Sequence, residues 1–359
     1  MKALLLGAEH NRDLVALARM PLGGTPSLSY RREPDYFAGL EPVGEGTDVI
    51  GVYHGDVLTG ACTRSWKKVW IDGSVARVGY LGGLRLPPEY QRRMYLPAGY
   101  RLLREIDKDK PGCLYLCTFL GRSGNSMQIM TRPRPGLLRF HPWGGYHAYS
   151  LLAPRHSSRV PFPAVHRAHR EEVPGLLEFL NREGCKKQFH PVLEARDFTD
   201  GSLRSLDGSP WYLWAPGGKI RAAAAVWDQT PCRQVVVEEY PRSLRLTLRL
   251  VNGCLRLVGR QRLPNEGEQL ELRYLAFAAA EGNDPSALAR VVRAALADLG
   301  GTDARLLSIG FADTDPLEDS VRGLVKARYD SRVFLAHWDG VEPPLPQRNR
   351  TPALELATL

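Results

Sequence analysis

The stretch Tyr80–Glu105 reads YLGGLRLPPEYQRRMYLPAGYRLLRE, a strand, an arginine-bearing loop and a helix in succession. The first N–H groups of a helix have no internal partner, and the helix dipole favours negative charge there. Such a junction holds anions. Gln91, Arg92 and Arg93 add donors and positive charge, so a pyrophosphate fits it electrostatically. Pro87 and Pro88 end the strand because proline cannot donate to a ladder. Pro97 suits the first position of the helix, whose face then carries Tyr100, Leu103 and Ile106.

The elements around this junction read as alternating strands and helices. Lys2–Leu6 predicts a strand, and Asn11 caps a predicted helix running to about Met20. A loop with Gly23, Gly24 and Pro26 follows, then a helical turn or two over Pro34–Leu40. Asp48–His54, Val57–Trp70 and Val75–Leu86 predict three strands joined by the turn pairs Gly55-Asp56 and Asp72-Gly73, an antiparallel meander. Cys113–Leu120 reads as a buried strand and Asn125–Thr131 as a short helix, with strands over Leu137–Phe140 and Tyr146–Leu152.

Residues 155–163 are rich in proline, serine and arginine and predict a linker, which divides the chain into 1–154 and 164–359. The second part restarts the pattern. Strands are predicted at Val165–Arg167, Trp211–Trp214, Ile220–Trp227, Leu270–Phe277, Arg305–Phe311 and Ser331–Trp338. Helices are predicted at Glu171–Arg182, Pro285–Leu299 and Pro316–Val325. Leu244–Leu250 alternates leucine with arginine or threonine, the period of a strand. The fold class is therefore α/β with a mixed sheet, and the shared order of elements makes the halves a structural repeat.

At Leu84-Arg85-Leu86-Pro87-Pro88-Glu89-Tyr90-Gln91 the sequence resembles the GNAT acetyltransferase superfamily, whose cofactor strand and loop begin in this form. Asn125 after the next strand and the pair Gly136-Leu137 extend the resemblance. The whole chain resembles tandem GNAT proteins of the mycothiol-synthase type. The resemblance implies two GNAT-like domains, each a mostly antiparallel central sheet flanked by helices. It implies an acyl-CoA, by default acetyl-CoA, held in the first half by Leu84, Arg85, Leu86, Gln91, Arg92, Arg93, Met94, Tyr95, Leu96 and Asn125. Departures are clear: Met94 and Leu96 stand where the family has loop glycines, and Arg132 where it has an acidic-proton tyrosine. No carboxylate lies between Asp72 and Glu89, where the family carries its base.

Amide formation from a thioester needs a neutral amine, a stabilised oxyanion and a proton for the departing thiolate. A backbone N–H near Leu84–Leu86 could polarise the carbonyl. Tyr80, Tyr115 or Tyr146 could supply the proton, and His141 or His147 could act as base. The carboxylate of Leu359 is a further candidate base, because the tail PALELATL is apolar enough to dock and some tandem relatives use a chain terminus in this way. The second half has an acidic loop, AAAEGNDP at 278–285, which repels a pyrophosphate. No cofactor is expected there; that half walls the substrate cleft.

Composition bounds the rest. The chain has 359 residues, 43% apolar and 24% charged, which excludes a disordered or disulfide-stapled chain. No apolar run is long enough to span a bilayer, and the first residues, MKALLLGAEHNRD, make too short an apolar stretch for a signal, so a cytoplasmic protein without a membrane partner is expected. The six cysteines show no C-x-x-C pair, and no metal is expected. The net charge of +9 favours acidic partners; no motif for nucleic acid accompanies it. Three readings stand: an acyl-CoA-dependent N-acyltransferase acting on a small amine or amino acid by direct transfer in a ternary complex, an N-acyltransferase fed by acyl carrier protein, and a catalytically degenerate GNAT-fold protein that binds a ligand or partner.

Overall fold

The computed structural model describes residues 2–22, 26–90, 95–108, 113–121, 124–155, 162–199 and 201–359. The first part of the chain forms β1 (Lys2–Leu5), α1 (Asn11–Ala18), β2 (Ser27–Arg31), β3 (Glu45–His54), β4 (Val57–Ile71), β5 (Ser74–Arg85), α2 (Tyr95–Ile106), β6 (Tyr115–Leu120), α3 (Gly124–Thr131) and β7 (Leu138–Leu152). The remainder forms β8 (Val165–Arg167), α4 (Val173–Gly184), α5 (Ala195–Thr199), β9 (Trp211–Trp214), β10 (Ala222–Trp227), β11 (Gln234–Glu239), α6 (Arg242–Leu257), β12 (Leu272–Ala280), α7 (Pro285–Leu299), β13 (Leu306–Ala312) and β14 (Lys326–Trp338).

Twelve strands make one sheet in the order β1-β3-β4-β5-β6-β14-β7-β13-β12-β10-β9-β8, and β11 pairs with β2 in a small second sheet. The meander β3-β4-β5 is antiparallel, as its turn residues require: Gly55, Asp72 and Gly73 all take positive φ. Two pairs, β5 with β6 and β12 with β13, are parallel. At the centre the halves exchange strands. β14, from the second half, runs antiparallel to β6 of the first, and β7, from the first half, runs antiparallel to β13 of the second. β14 and β7 pair with each other from Lys326↔Leu151 to Trp338↔Leu138. Each half thus completes its sheet with the other's last strand.

Both parallel pairs open into forks. β5 and β6 are paired only over Gly79–Leu81 and Tyr115–Cys117; β12 and β13 only over Leu272–Tyr274 and Leu306–Ser308. One apolar core packs α7 on the second half, with Leu288, Val291 and Val292 wholly buried. Each such side chain contributes roughly 1.5–3 kcal/mol on burial. Asp284 caps that helix by accepting from Ser286 N at 2.8 Å, with Pro285 at its first position. A second core joins Tyr80, Leu116, Tyr146, Val333, Leu335 and Leu354 on one face of the central sheet.

The opposite face carries a buried ionic network. Arg64 is 2% exposed and donates through Nε to Asp48 Oδ2 at 2.9 Å and through Nη1 to Asp107. Asp107 also accepts from the Tyr115 hydroxyl and from Trp338 Nε1, the latter at 2.9 Å. One carboxylate therefore ties the end of α2 to β4, β6 and the exchanged β14.

Several sequence expectations are corrected. Leu244–Leu250 lies in helix α6, not in a strand. The predicted strands at Leu137–Phe140 and Tyr146–Leu152 are one strand, β7. Asn11 does not cap α1 but begins it, and its side chain accepts from Tyr36 N at 2.8 Å and donates to Pro34 O at 3.1 Å. The turn expected at Pro34–Leu40 is a 3-10 segment at Ala38–Val43, and the helix expected over Pro316–Val325 is a 3-10 segment ending at Val321. Strands β2 and β11 and helix α5 were not expected from the sequence.

Candidate functional site

The first fork is set by a bulge in β5. Arg85 pairs with Ala61 while Gly82 pairs with Thr63, so β5 carries one extra residue there. Gly83 takes φ +61°, a conformation that disfavours any side chain. Beyond Leu81, β5 has no ladder partner on β6 among the described residues. Tyr80 sits at the root of this fork, buried, with its hydroxyl 2.8 Å from Thr118 Oγ1 of β6. Burial pushes its phenol up to about 12.

The end of the chain enters the same core. Glu355 caps the final turn, Leu356–Thr358, by accepting from Ala357 N at 2.9 Å, and it also accepts from Phe277 N. Phe277 presents that N–H because it takes φ +53° at an irregular point of β12. Lys67, on β4, donates to Thr358 O and, at 2.9 Å, to Thr358 Oγ1. Its ammonium lies 4.7 Å from the centre of the Tyr80 ring. Arg233, just before β11, donates to Ala357 O at 2.7 Å and to Leu359 O at 2.8 Å. Gln229 supports it from Oε1 at 2.9 Å and itself donates to Ala357 O. Tyr146, wholly buried, donates to Leu354 O at 3.0 Å.

Cations dominate this region. Burial, with Arg233 beside it and Glu355 opposing, brings Lys67 down to about 7. Burial lowers Arg32 to about 10, with Arg233 and Arg85 adding to the effect, and lowers Arg85 as well. The Arg85 Nε is buried without a hydrogen-bond partner among the described residues. Burial raises Glu355 to about 7 against the pull of its two backbone donors and Lys67.

The structure thus brings Tyr80, Tyr146 and Leu359 of the expected catalytic set into one core. It does not bring Tyr115 or His141 there. Tyr115 faces the other side of the sheet and is wholly buried, its hydroxyl committed to Asp107. His141 stacks on His337, ring centres 4.9 Å apart, with their Nε2 atoms 2.9 Å apart; burial lowers it, and His337 adds to this. His147 is 3.1 Å from Glu318.

Of the expected cofactor residues, Leu84 is partly exposed at the fork and Leu86 packs beside Val52 and Ala98. Leu96 lines a small cavity with Tyr100, Ile129, Arg132 and Arg134, between α2, α3 and the start of β7. Gln91, Arg92, Arg93 and Met94 lie outside the described residues, as do the side chains of Tyr95 and Asn125. Lys67, Arg233 and Glu355 were missed by the sequence reading. Lys67 alone left a signal, an inward strand position paired with Val78 and holding a lysine.

Glu355 gives the site a pH signature. A carboxyl raised from 4.5 to about 7 favours the folded state fully below 4.5, and this contribution is lost as pH rises through 7. Lys67 acts in the opposite sense, its depressed value favouring folding at high pH and withdrawing that support as pH falls through 7. Comparing Glu355→Gln with the parent chain isolates the carboxyl. Urea denaturation is expected to show the variant gaining about 1–3 kcal/mol on the parent between pH 5 and pH 8. A difference that does not change with pH would remove the buried carboxyl from the account.

No family model and no curated protein sequence matches the chain. Solved structures do. The Saccharomyces cerevisiae N-myristoyltransferase with bound myristoyl-CoA superposes with a TM-score of 0.62 at 10% identity, covering 98% of this chain and 89% of that one. A second structure of it with bound myristoyl-CoA gives 0.59 at 10% identity, covering 96% and 80%. A third, with myristoyl-CoA and inhibitors, gives 0.59 at 10% identity, covering 98% and 86%. At this identity the likeness establishes the fold. The chain shares the fold of that N-myristoyltransferase, a mixed and mainly antiparallel sheet flanked by helices.

Proposed function

We propose that this chain is an acyl-CoA-dependent N-acyltransferase, with the donor in the fork of the first half and an amine acceptor entering beside the tail. The observation that carries this reading is the meeting of Tyr80, at the root of the β5–β6 fork, with Lys67, Arg233 and the main chain of Thr358 and Leu359. The fold is shared with an enzyme that was solved with bound myristoyl-CoA. The cavity beside Leu96 has Arg132 and Arg134 in its wall, which suits the phosphates of an acyl-CoA.

In this reading the acceptor nitrogen attacks the thioester carbonyl, the N–C bond forms, and the C–S bond breaks. The carboxyl of Leu359, oriented by Arg233, takes the proton that the amine loses. The thiolate leaves and takes a proton. Lys67, at about 7, is a better matched acid for a thiolate than Tyr80, at about 12. Tyr80 and Thr118 then serve to hold the fork open at its root. The cations Arg32, Lys67, Arg85 and Arg233 favour an acceptor that carries its own carboxylate, hence an amino acid over a simple amine.

Acetyl-CoA is the default donor, and longer acyl-CoAs are the alternatives to be compared with it. The experiment supplies acyl-CoAs from acetyl to myristoyl with a panel of amino acids and simple amines, and follows free thiol and product mass. Amine-dependent thiol release with a matching amide supports the reading. Thiol release independent of any amine, or none at all, contradicts it.

A further inference from the structure

Helix α6 presents two apolar faces. The inner one packs Leu244 and Leu248 onto Val235 and Val237 of the small sheet and Tyr240 just beyond it. The outer one faces solvent: Leu246 is 84% exposed, Leu250 72% and Leu257 87%, and Val258 follows at 68%. The spacing of these leucines, i, i+4 and i+11 with Gly253 at i+7, places them on one stripe. Arg242, Arg245, Arg249 and Arg256 form a row along one edge of that stripe by the same geometry. The other edge carries Ser243, Thr247 and Cys254.

The segment from Pro241 to Asn265 contains six arginines and no acidic residue. Arg242, Arg249 and Arg256 form no ion pair among the described residues, and Arg245 reaches Glu266 only at 4.0 Å. An exposed leucine stripe of this kind is costly in water. Its chemistry fits a surface that is apolar beneath and anionic above.

We propose that α6 docks on an anionic lipid bilayer, lying in the interface with its leucines among the acyl chains and its arginines on the phosphates. A helix with a strong apolar face and an arginine edge binds membranes in this plane. Arginine stems also extend along apolar surface while the guanidinium stays at the headgroups. α6 lies on the bilayer and does not cross it; no helix of the described residues is long and apolar enough to cross. A second copy of the chain is a poorer occupant, because its own arginine row would face this one. The sequence expectation of no membrane partner rested on the lack of a spanning apolar run, which does not register a helix lying in the interface, and the reading of Leu244–Leu250 as a strand left the stripe unseen. This proposal does not depend on the acyltransferase reading.

The test is co-sedimentation of the full chain with vesicles of phosphatidylcholine alone and of phosphatidylcholine with about a third phosphatidylserine. Binding to the anionic vesicles is expected, about tenfold or more tighter than to the neutral ones, and weakening with salt. Leu246→Ser with Leu250→Ser and Leu257→Ser is expected to cost about tenfold or more. Arg242→Gln with Arg249→Gln and Arg256→Gln is expected to cost about a hundredfold, at roughly fivefold per arginine. All six positions face solvent, so both variants keep the parent's circular dichroism and melting temperature. Absence of binding to anionic vesicles overturns the proposal, as does binding that neither variant weakens. A dimer split by Leu250→Glu would assign the stripe to a second copy. Binding of acyl carrier protein in place of vesicles would assign it to an acidic protein.

Discussion

Replacing Arg233 with methionine is expected to lower acyl transfer about a hundredfold or more while leaving acyl-CoA affinity within about twofold of the parent. Among the described residues Arg233 is the side chain that bonds both Ala357 O and Leu359 O. Without it the base proposed at Leu359 loses its orienting donor, and the final turn loses a clamp that Gln229 only partly replaces. General-base catalysis is worth roughly 10²–10⁴-fold, so misplacing the base removes most of that factor. The fork proposed to receive the donor is built by β5 and β6, and among the described residues Arg233 makes no hydrogen bond to either strand. The loss therefore falls on kcat. A variant with unchanged turnover would remove the tail from the chemistry, and one that loses acyl-CoA binding as well would show Arg233 to be structural.

Asp107→Ala is expected to destabilise the chain by about 3–5 kcal/mol, measured by urea denaturation. Arg64 and Asp107 are each 2% exposed at the side chain. Removing the carboxylate leaves the guanidinium with Asp48 alone, and leaves the Tyr115 hydroxyl and Trp338 Nε1 without their acceptor. Uncompensated buried charge and orphaned donors act in the same direction. Asp107→Asn keeps an acceptor and is expected to cost less, about 1–3 kcal/mol. A loss below about 1 kcal/mol for the alanine variant would mean that water replaces the carboxylate and that the network does not hold β14 in place.

Most strands could be read from local chemistry. Turn pairs at Gly55-Asp56 and Asp72-Gly73 marked the meander, because only a few residue types accept the turn's positive φ. The strand exchange could not be read in this way. β7 looks like two strands because Pro142 and the pair Gly144-Gly145 interrupt it, yet the ladder with β14 runs through Pro142↔Phe334 with a register shift beside it. Partner choice between distant strands leaves no local mark. α6 misled for a different reason: leucines at 244, 246, 248 and 250 satisfy period two, and only its two-sided apolar character reconciles them with a helix.

The site was legible in the same uneven way. Tyr80 stands out by its place on the strand before the loop, and Leu359 by the apolar tail that carries it. Arg233 and Glu355 gain their roles only when the tail folds back between the halves. Arg92 and Arg93 remain expectations carried by the resemblance. The cluster of Lys67, Arg32 and Arg85 draws on three separate strand regions, which no spacing rule joins.

The most direct measurement of the central claim is calorimetric titration of the full chain with acyl-CoAs of increasing chain length. The account predicts one equivalent bound with a Kd of about a micromolar for the preferred chain, at least tenfold tighter than free CoA. Failure of every acyl-CoA to bind at about millimolar concentration would contradict it, and would leave this fold as the frame of a protein that binds something else.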